Sequence, residues 1–400
     1  MASIALFPAV YALTLMWWIP EGDKYIPGMV VVVLVFHLIG QHLHNEKPLM
    51  THLGGARLLV LIWLYVTYCS IVYLWKGDSW TELRAMLAMA IYFTVFRSLK
   101  LSGNFCKAAV AVSALGFLVL TWFFFLSGSN RVGGFINPIP YATALGAVLL
   151  VVFSLALWGE GKISKLVFSI LSVSLFSALF MTQTRGVIVP AVFLGAALLL
   201  IYAVQHRKGM ITGVLLIMFF SVITFLGNEI FRDRINQSLV ELNAISKGDK
   251  SGSMGLRMQM WASSVGIWSE SPIFGVGNSH KEILSRMHDE GEISDELIDF
   301  APSHYHNQYL DILIKKGVVG LVLFLMTIVV LCQVVMYTKH EVVRFGVGSA
   351  ILLYLLSGLS DVPFRHPSSL YLFFSIILIF VSTPIDNRNE FCSTDKGNAS

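Results

Sequence analysis

Long apolar runs separated by short polar ones make up nearly the whole chain. Runs of roughly 17–22 residues recur from end to end, each long enough to cross about 30 Å of hydrocarbon. They predict twelve spans, over residues 3–20, 25–41, 57–75, 82–97, 107–127, 139–158, 163–181, 186–205, 210–227, 317–338, 343–360 and 368–384. The runs are continuous rather than alternating, which predicts helices and not the strands of a barrel. One connection is long, from Asn228 to Lys316. The expected fold is therefore an all-α polytopic integral membrane protein. Residues 1–227 form nine spans, 228–316 an external helical loop, 317–384 three further spans and 385–400 a tail.

Composition agrees. The chain is 56% hydrophobic and 13% charged, against about 25% charged in soluble domains. The first span, Ile4 to Ile19, has neither a basic leader nor a clear cleavage site, so it is expected to be retained as a helix. Thirteen Lys and Arg fall in the even-numbered loops and the tail, and five in the odd-numbered short loops. That asymmetry puts both termini in the cytoplasm and the long loop outside. His37, His42, His44 and His52 then read as a solvated cytoplasmic cluster. Cys69, Cys106, Cys332 and Cys392 form no CxxC pair, so neither a disulfide nor a zinc site is expected.

The long loop has a pattern of its own. Met254 to Ser269 reads as a helix, with Leu256, Met260, Trp261, Ile267 and Trp268 near one face. Pro272, Gly275 and Gly277 stop it. Lys281 to Glu290 reads as a second short helix, and Asp289 to Asp299 as an acidic solvated surface. Together these predict a small helical cap on the membrane domain. The loop closes at Ser303–Gly320, where Ser303 is the expected N-cap of a short helix. Tyr309, Leu310, Ile312, Leu313 and Lys316 give that helix a mixed apolar and basic face suited to a membrane surface. Gly317 and Gly320 allow a bend before the next span.

Four residues are candidates for chemistry. Arg185 lies between spans seven and eight, where a charge is costly and reads either as functional or as a snorkelling side chain. Arg257 is a functional cation or a solvated residue on an amphipathic helix. Arg131 binds a phosphate or packs its loop. His306 is an interfacial general base or a structural hydrogen-bonder. His304 faces elsewhere or precedes the helix, and the pair lacks an ordered set of carboxylates, so no metal is expected. No nucleotide-binding glycine loop is present, and no nucleotide, nucleic acid or cofactor is expected.

His306-Asn307, nine residues, then Gly317-x-x-Gly320 resembles the motif of bacterial O-antigen ligases, O-antigen polymerases and protein O-oligosaccharyltransferases. Thr182-Gln-Thr-Arg185-Gly186 resembles the family's Thr-x-x-Arg-Gly. Arg257 before Trp261 followed by Pro272-x-x-Gly275-x-Gly277, and Arg131-x-x-Gly-Phe before Asn137-Pro138, resemble two more segments. The resemblance implies a GT-C-like O-antigen ligase of the bacterial inner membrane, with its active site at the periplasmic face. It would move O-antigen from undecaprenyl pyrophosphate to the lipid A–core oligosaccharide during lipopolysaccharide biosynthesis. The transfer would be inverting and metal-independent. His306 would be the base, Arg257 catalytic, and Arg185, Arg257 and Arg131 the pyrophosphate ligands.

Leu321, where many ligases have a small hydroxyl residue, and the loose match over Leu256–Trp261 depart from the pattern. A polymerase is the nearest alternative, but polymerases usually split their external residues between two loops. A protein transferase commonly carries a C-terminal extension. A polysaccharide or lipid transporter would show polar midplane residues and broken, symmetry-related spans.

Overall fold

The computed structural model describes residues 2–44, 53–96, 101–129, 131–206, 236 and 239–381. Among the described residues a helix occupies eleven of the twelve expected spans; the ninth, 210–227, lies outside them. The membrane helices of the first part are α1 (Ala2–Leu13), α2 (Ile26–His44), α3 (Leu53–Lys76), α4 (Trp80–Phe96), α5 (Gly103–Leu126), α6 (Pro138–Trp158), α7 (Lys162–Met181) and α8 (Arg185–His206). The helices of the long loop follow: α9 (Ser253–Ser269), α10 (His280–Asp289) and α11 (Asp295–Phe300). The chain closes with α12 (Gln308–Met336), a π-helical turn (Val342–Val347) that continues into α13 (Gly348–Ser357), and α14 (Pro367–Val381).

Seven of the described helices are long and apolar enough to cross a membrane. The first span is shorter than its hydropathy predicts: α1 ends at Leu13, and a 3-10 turn over Leu15–Trp18 follows. At 1.5 Å per residue a helix of that length does not reach across a bilayer alone. α6 is the centre of the bundle. It is apolar on every face, with 89% of its span buried, as an all-round hydrophobic helix must be. α5 and α7 leave Val112, Leu115, Ile163 and Ile170 exposed, the pattern of lipid-facing helices.

Outside the bundle a second core gathers Met260, Ile267, Val276, Leu284, Leu297, Tyr305 and Ile314. The expected helical cap is present, with its two predicted helices as α9 and α10. The acidic stretch is less uniform than its composition suggests, because α11 turns Leu297 into this core.

The cap is joined to the membrane helices through a break in α12. Gly317 leaves helical geometry (φ 66°, ψ −172°) and interrupts the hydrogen-bond ladder. The turn after α9 fills the gap. The Val318 and Val319 amides donate to the carbonyls of Pro272 and Ile273 at 2.9 and 3.2 Å, and the Val276 amide donates to that of Ile314 at 2.8 Å. Gly275 and Gly317 both have positive φ, and a Cβ on either would collide with the other's backbone segment. Backbone packed on backbone requires glycine on both sides.

Candidate active site

At one end of the bundle the helices converge below this cap. The Asn307 side chain caps α12, accepting from the amides of Tyr309 and Leu310 at 3.1 Å each, and its amide donates to the Leu359 carbonyl. Asn307, and not Ser303, is therefore the N-cap. Ser303 lies a turn further out, where its carbonyl accepts from Lys315 Nζ at 2.7 Å. The Gln308 amide donates to the Gly358 carbonyl, and Gln308 Oε1 accepts from the Phe364 amide. These bonds fix the loop between α13 and α14 against the start of α12.

That loop carries Asp361. Its Oδ1 lies 3.3 Å from His306 Nδ1 and 3.6 Å from His304 Nε2. The two imidazole rings are 4.3 Å apart, and the His366 ring is 6.1 Å from that of His304. His304 thus precedes the helix, as expected, yet shares the site with His306. Burial opposes a charge on Asp361. The facing imidazoles of His304 and His306, together with His366, outweigh it and hold the carboxyl well below the usual carboxylate range. Burial likewise pulls His366 down to about 4, against the attraction of Asp361. His306 occupies the left-handed region (φ 45°), as do Ala301 and Gln183 in the adjoining turns. Such conformations cost of order 1–3 kcal/mol each and persist where surrounding contacts impose them, often at functional sites.

Beneath this cluster lies a buried ion network. Lys316 Nζ is 3.0 Å from Asp78 and 2.8 Å from Glu82. The Arg365 guanidinium reaches Asp311, Glu82 and Asp78 at 3.2, 3.4 and 3.7 Å, and Lys315 pairs with Asp311 at 2.7 Å. Three cations meet three carboxylates, so the set is formally neutral. Burial disfavours the charge on Asp78, but Lys316, Lys315 and Arg365 prevail and lower it to about 2. Lys316 is 1% exposed. The membrane-surface face expected of Lys316 is therefore absent: the side chain points inward to the carboxylates of Asp78 and Glu82 at the α3–α4 turn. Below the network, Ile62, Met86, Phe324, Ile328, Phe364 and Phe374 help line a small apolar pocket. Glu82 and Gln308 stand among its few polar lining residues.

The structure ties each expected arginine to this end of the molecule. Arg257 is half-buried on α9 and makes no hydrogen bond or ion pair among the described residues. One helical turn on, and so on the same face, Trp261 Nε1 donates to the carbonyl of Tyr305, the residue between the two histidines, at 2.9 Å. Arg185 begins α8, where the helix dipole favours an anion. Gly186 packs so tightly on Ser360 that a Cβ there would meet its hydroxyl, which sets the Arg185 turn beside Asp361. Arg131 is exposed, and its Nε donates to the Thr182 carbonyl at 3.3 Å while the Val132 amide donates to that of Met181. Those bonds tie the loop to the α7–α8 turn.

The sequence reading passed over Asp361, Arg365, His366 and the acids of the network. A signal was there. Ser360-Asp-Val-Pro-Phe-Arg365-His366 is a charged interruption between two apolar runs, in a chain with few charges. Among the described residues Cys69, Cys106 and Cys332 are free.

Residues 170–325 match the O-antigen ligase family model, so Arg185, Arg257, His304 and His306 fall within the match and Asp361 beyond it. The chain is 24% identical over 283 residues to an O-antigen ligase of Escherichia coli (strain K12), a match covering 69% of this chain and 66% of that protein. It is 29% identical over 90 residues to an uncharacterized protein of Haemophilus influenzae, covering 21% of each. The matches thus span a little under two thirds of the first relative's length and about a fifth of the second's.

Proposed function

We propose that this chain, a multi-pass bacterial membrane protein carrying O-antigen ligase sequence over residues 170–325, transfers a glycan from a polyprenyl pyrophosphate donor to lipid A–core oligosaccharide. The observation that carries the reading is the Asp361–His306 pair at 3.3 Å, to which the helix of Arg257 is tied through the Trp261 bond to the Tyr305 carbonyl. The Asp361 carboxylate faces His306 Nδ1, so on this reading the neutral ring carries its proton there and accepts on Nε2, the arrangement a general base needs.

In the transfer the bond from the anomeric carbon to the pyrophosphate oxygen breaks, and its electron pair stays with the pyrophosphate. The acceptor hydroxyl oxygen bonds to that carbon from the opposite side, inverting it, and its proton passes to His306 Nε2. Pyrophosphate is a weakly basic leaving group, so it needs positive charge rather than an acid. Arg257 supplies a planar fork of donors with no competing partner, and Arg185 acts at the dipole end of α8. On this reading the site faces the periplasm and both termini the cytoplasm.

The test is complementation of a ligase-null strain, scored by the lipopolysaccharide ladder, with membrane expression checked for each variant. Wild type restores capped lipopolysaccharide, and His306→Ala, Arg257→Ala and Arg185→Ala leave bare core. A normal ladder from His306→Ala sinks the base assignment. Bare core from wild type, in a strain that makes compatible polymer, sinks ligation and turns the test to polymerisation.

A further inference from the structure

Two atoms at the centre of the site remain unsatisfied. Asp361 Oδ1 and His306 Nδ1 are both buried and neither completes a hydrogen bond, although they lie 3.3 Å apart. The Asp361 side chain is 4% exposed and points at both histidines. One donor atom each from His304, His306 and Asp361 fall within 4.8 Å of one another. Two imidazole nitrogens and one carboxylate oxygen converging on a point are the donor set of a borderline divalent cation. An outer partner is also in place: Ser303 Oγ lies 3.0 Å from His304 Nδ1. With a cation bound at Nε2 the ring proton sits on Nδ1 and donates to this hydroxyl, and such outer bonds orient metal-binding histidines.

We propose that His304 Nε2, His306 Nδ1 and Asp361 Oδ1 form a binding site for a divalent transition cation of the zinc class, and that occupancy silences the enzyme. The silencing half rests on the function proposed above; the binding half does not. In the working state the neutral His306 ring carries its proton on Nδ1 and accepts on Nε2. A cation bound at Nδ1 takes that lone-pair position, and the ring's single proton moves to Nε2. There it is a donor and no longer takes a proton from the acceptor hydroxyl. The cation is an inhibitor of the transfer and not a participant in it. A second histidine cluster, His288 with Asp295 at 2.6 Å, is less suited because its aspartate side chain is 89% exposed; it serves as the control.

The experiment uses the full chain in nanodiscs, stripped of metal with a chelator and titrated with Co²⁺, whose d–d absorption reports coordination. Wild type and His288→Ala develop the band at one equivalent, and Zn²⁺ displaces it. His304→Ala and Asp361→Asn lose the band, with thermal melting used to confirm that each is folded. Ser303→Ala, which removes only the outer partner, weakens binding by about 10–100-fold. A wild type without the band overturns the site, and so does an undiminished band in folded His304→Ala and Asp361→Asn. In the transfer assay Zn²⁺ stops wild type and chelator restores it. Full transfer with the site occupied would overturn the silencing half and the Nε2 base together, while leaving the binding site standing.

Discussion

Gly186 of α8 and Ser360 of the α13–α14 loop touch so closely that no side chain fits between them. The contact joins the Arg185 turn to the loop that carries Asp361. A methyl group at 186 meets the Ser360 hydroxyl first, the end of a small side chain that can rotate away. Gly186→Ala is therefore expected to lower transfer without unfolding the protein. Adding Ser360→Ala is expected to restore part of the loss, a coupling that a double-mutant cycle measures. Additive effects would mean that the contact does not position the site.

Removing one member of the buried ion network leaves the others uncompensated. Lys316→Met or Arg365→Met is expected to cost about 3–5 kcal/mol, the usual loss when one partner of a buried pair is deleted. The exposed pair Lys24–Glu21 should cost little by comparison, because water screens it. Thermal unfolding in detergent compares the two. Equal, small losses would show that the network is hydrated.

Asn307 is the test of whether a motif residue is chemical or structural. Its side chain caps α12 and holds Leu359. Asn307→Ala is expected to cost about 1 kcal/mol of stability. Asn307→Asp keeps the capping oxygen and should recover most of that loss. A stable Asn307→Ala with no activity would instead assign the residue a part in the reaction.

The cap carries its own pH dependence. His280 is buried, with its Nδ1 3.2 Å from the Tyr305 hydroxyl. Burial first, and then Lys315, Lys281 and Arg365 against the pull of Asp311, lower it to about 3. The unfolded chain binds this proton near pH 6.5 and the folded chain only near 3. Stability from this group is thus complete above about pH 6.5 and is lost as pH falls toward 3. Hydrogen-exchange protection of residues 253–300 should fall over that window in wild type and hold in His280→Phe.

Gly275→Ala and Gly317→Ala each place a methyl group into facing backbone at positive φ. Both are expected to abolish accumulation in the membrane, read by immunoblot, whereas Gly291→Ala, with open space around it, should accumulate close to wild type despite its strained φ.

The bundle was legible because its signal is local. An apolar run long enough to span a membrane has to become a helix, since its backbone has no other partner in lipid. The α9 stripe and its Pro-Gly stop were legible for the same kind of reason. Asp361 and Arg365 were not, because their role depends on which loops meet at one end of the bundle, and no periodicity records that. Lys316 was misread for a related cause. Its burial depends on Asp78 and Glu82, which come from a distant turn and helix that the local pattern does not record.

The splice of residues 272–277 into α12 also has a mechanical meaning. Three backbone bonds cross it, and the Asn278 amide and Lys76 ammonium add ties to the end of α3. A lid hinged at that point would have to tear a transmembrane helix to swing. The edge of the cap above His304 and His306 therefore behaves as a fixed jaw, held to α3 and α12 by backbone.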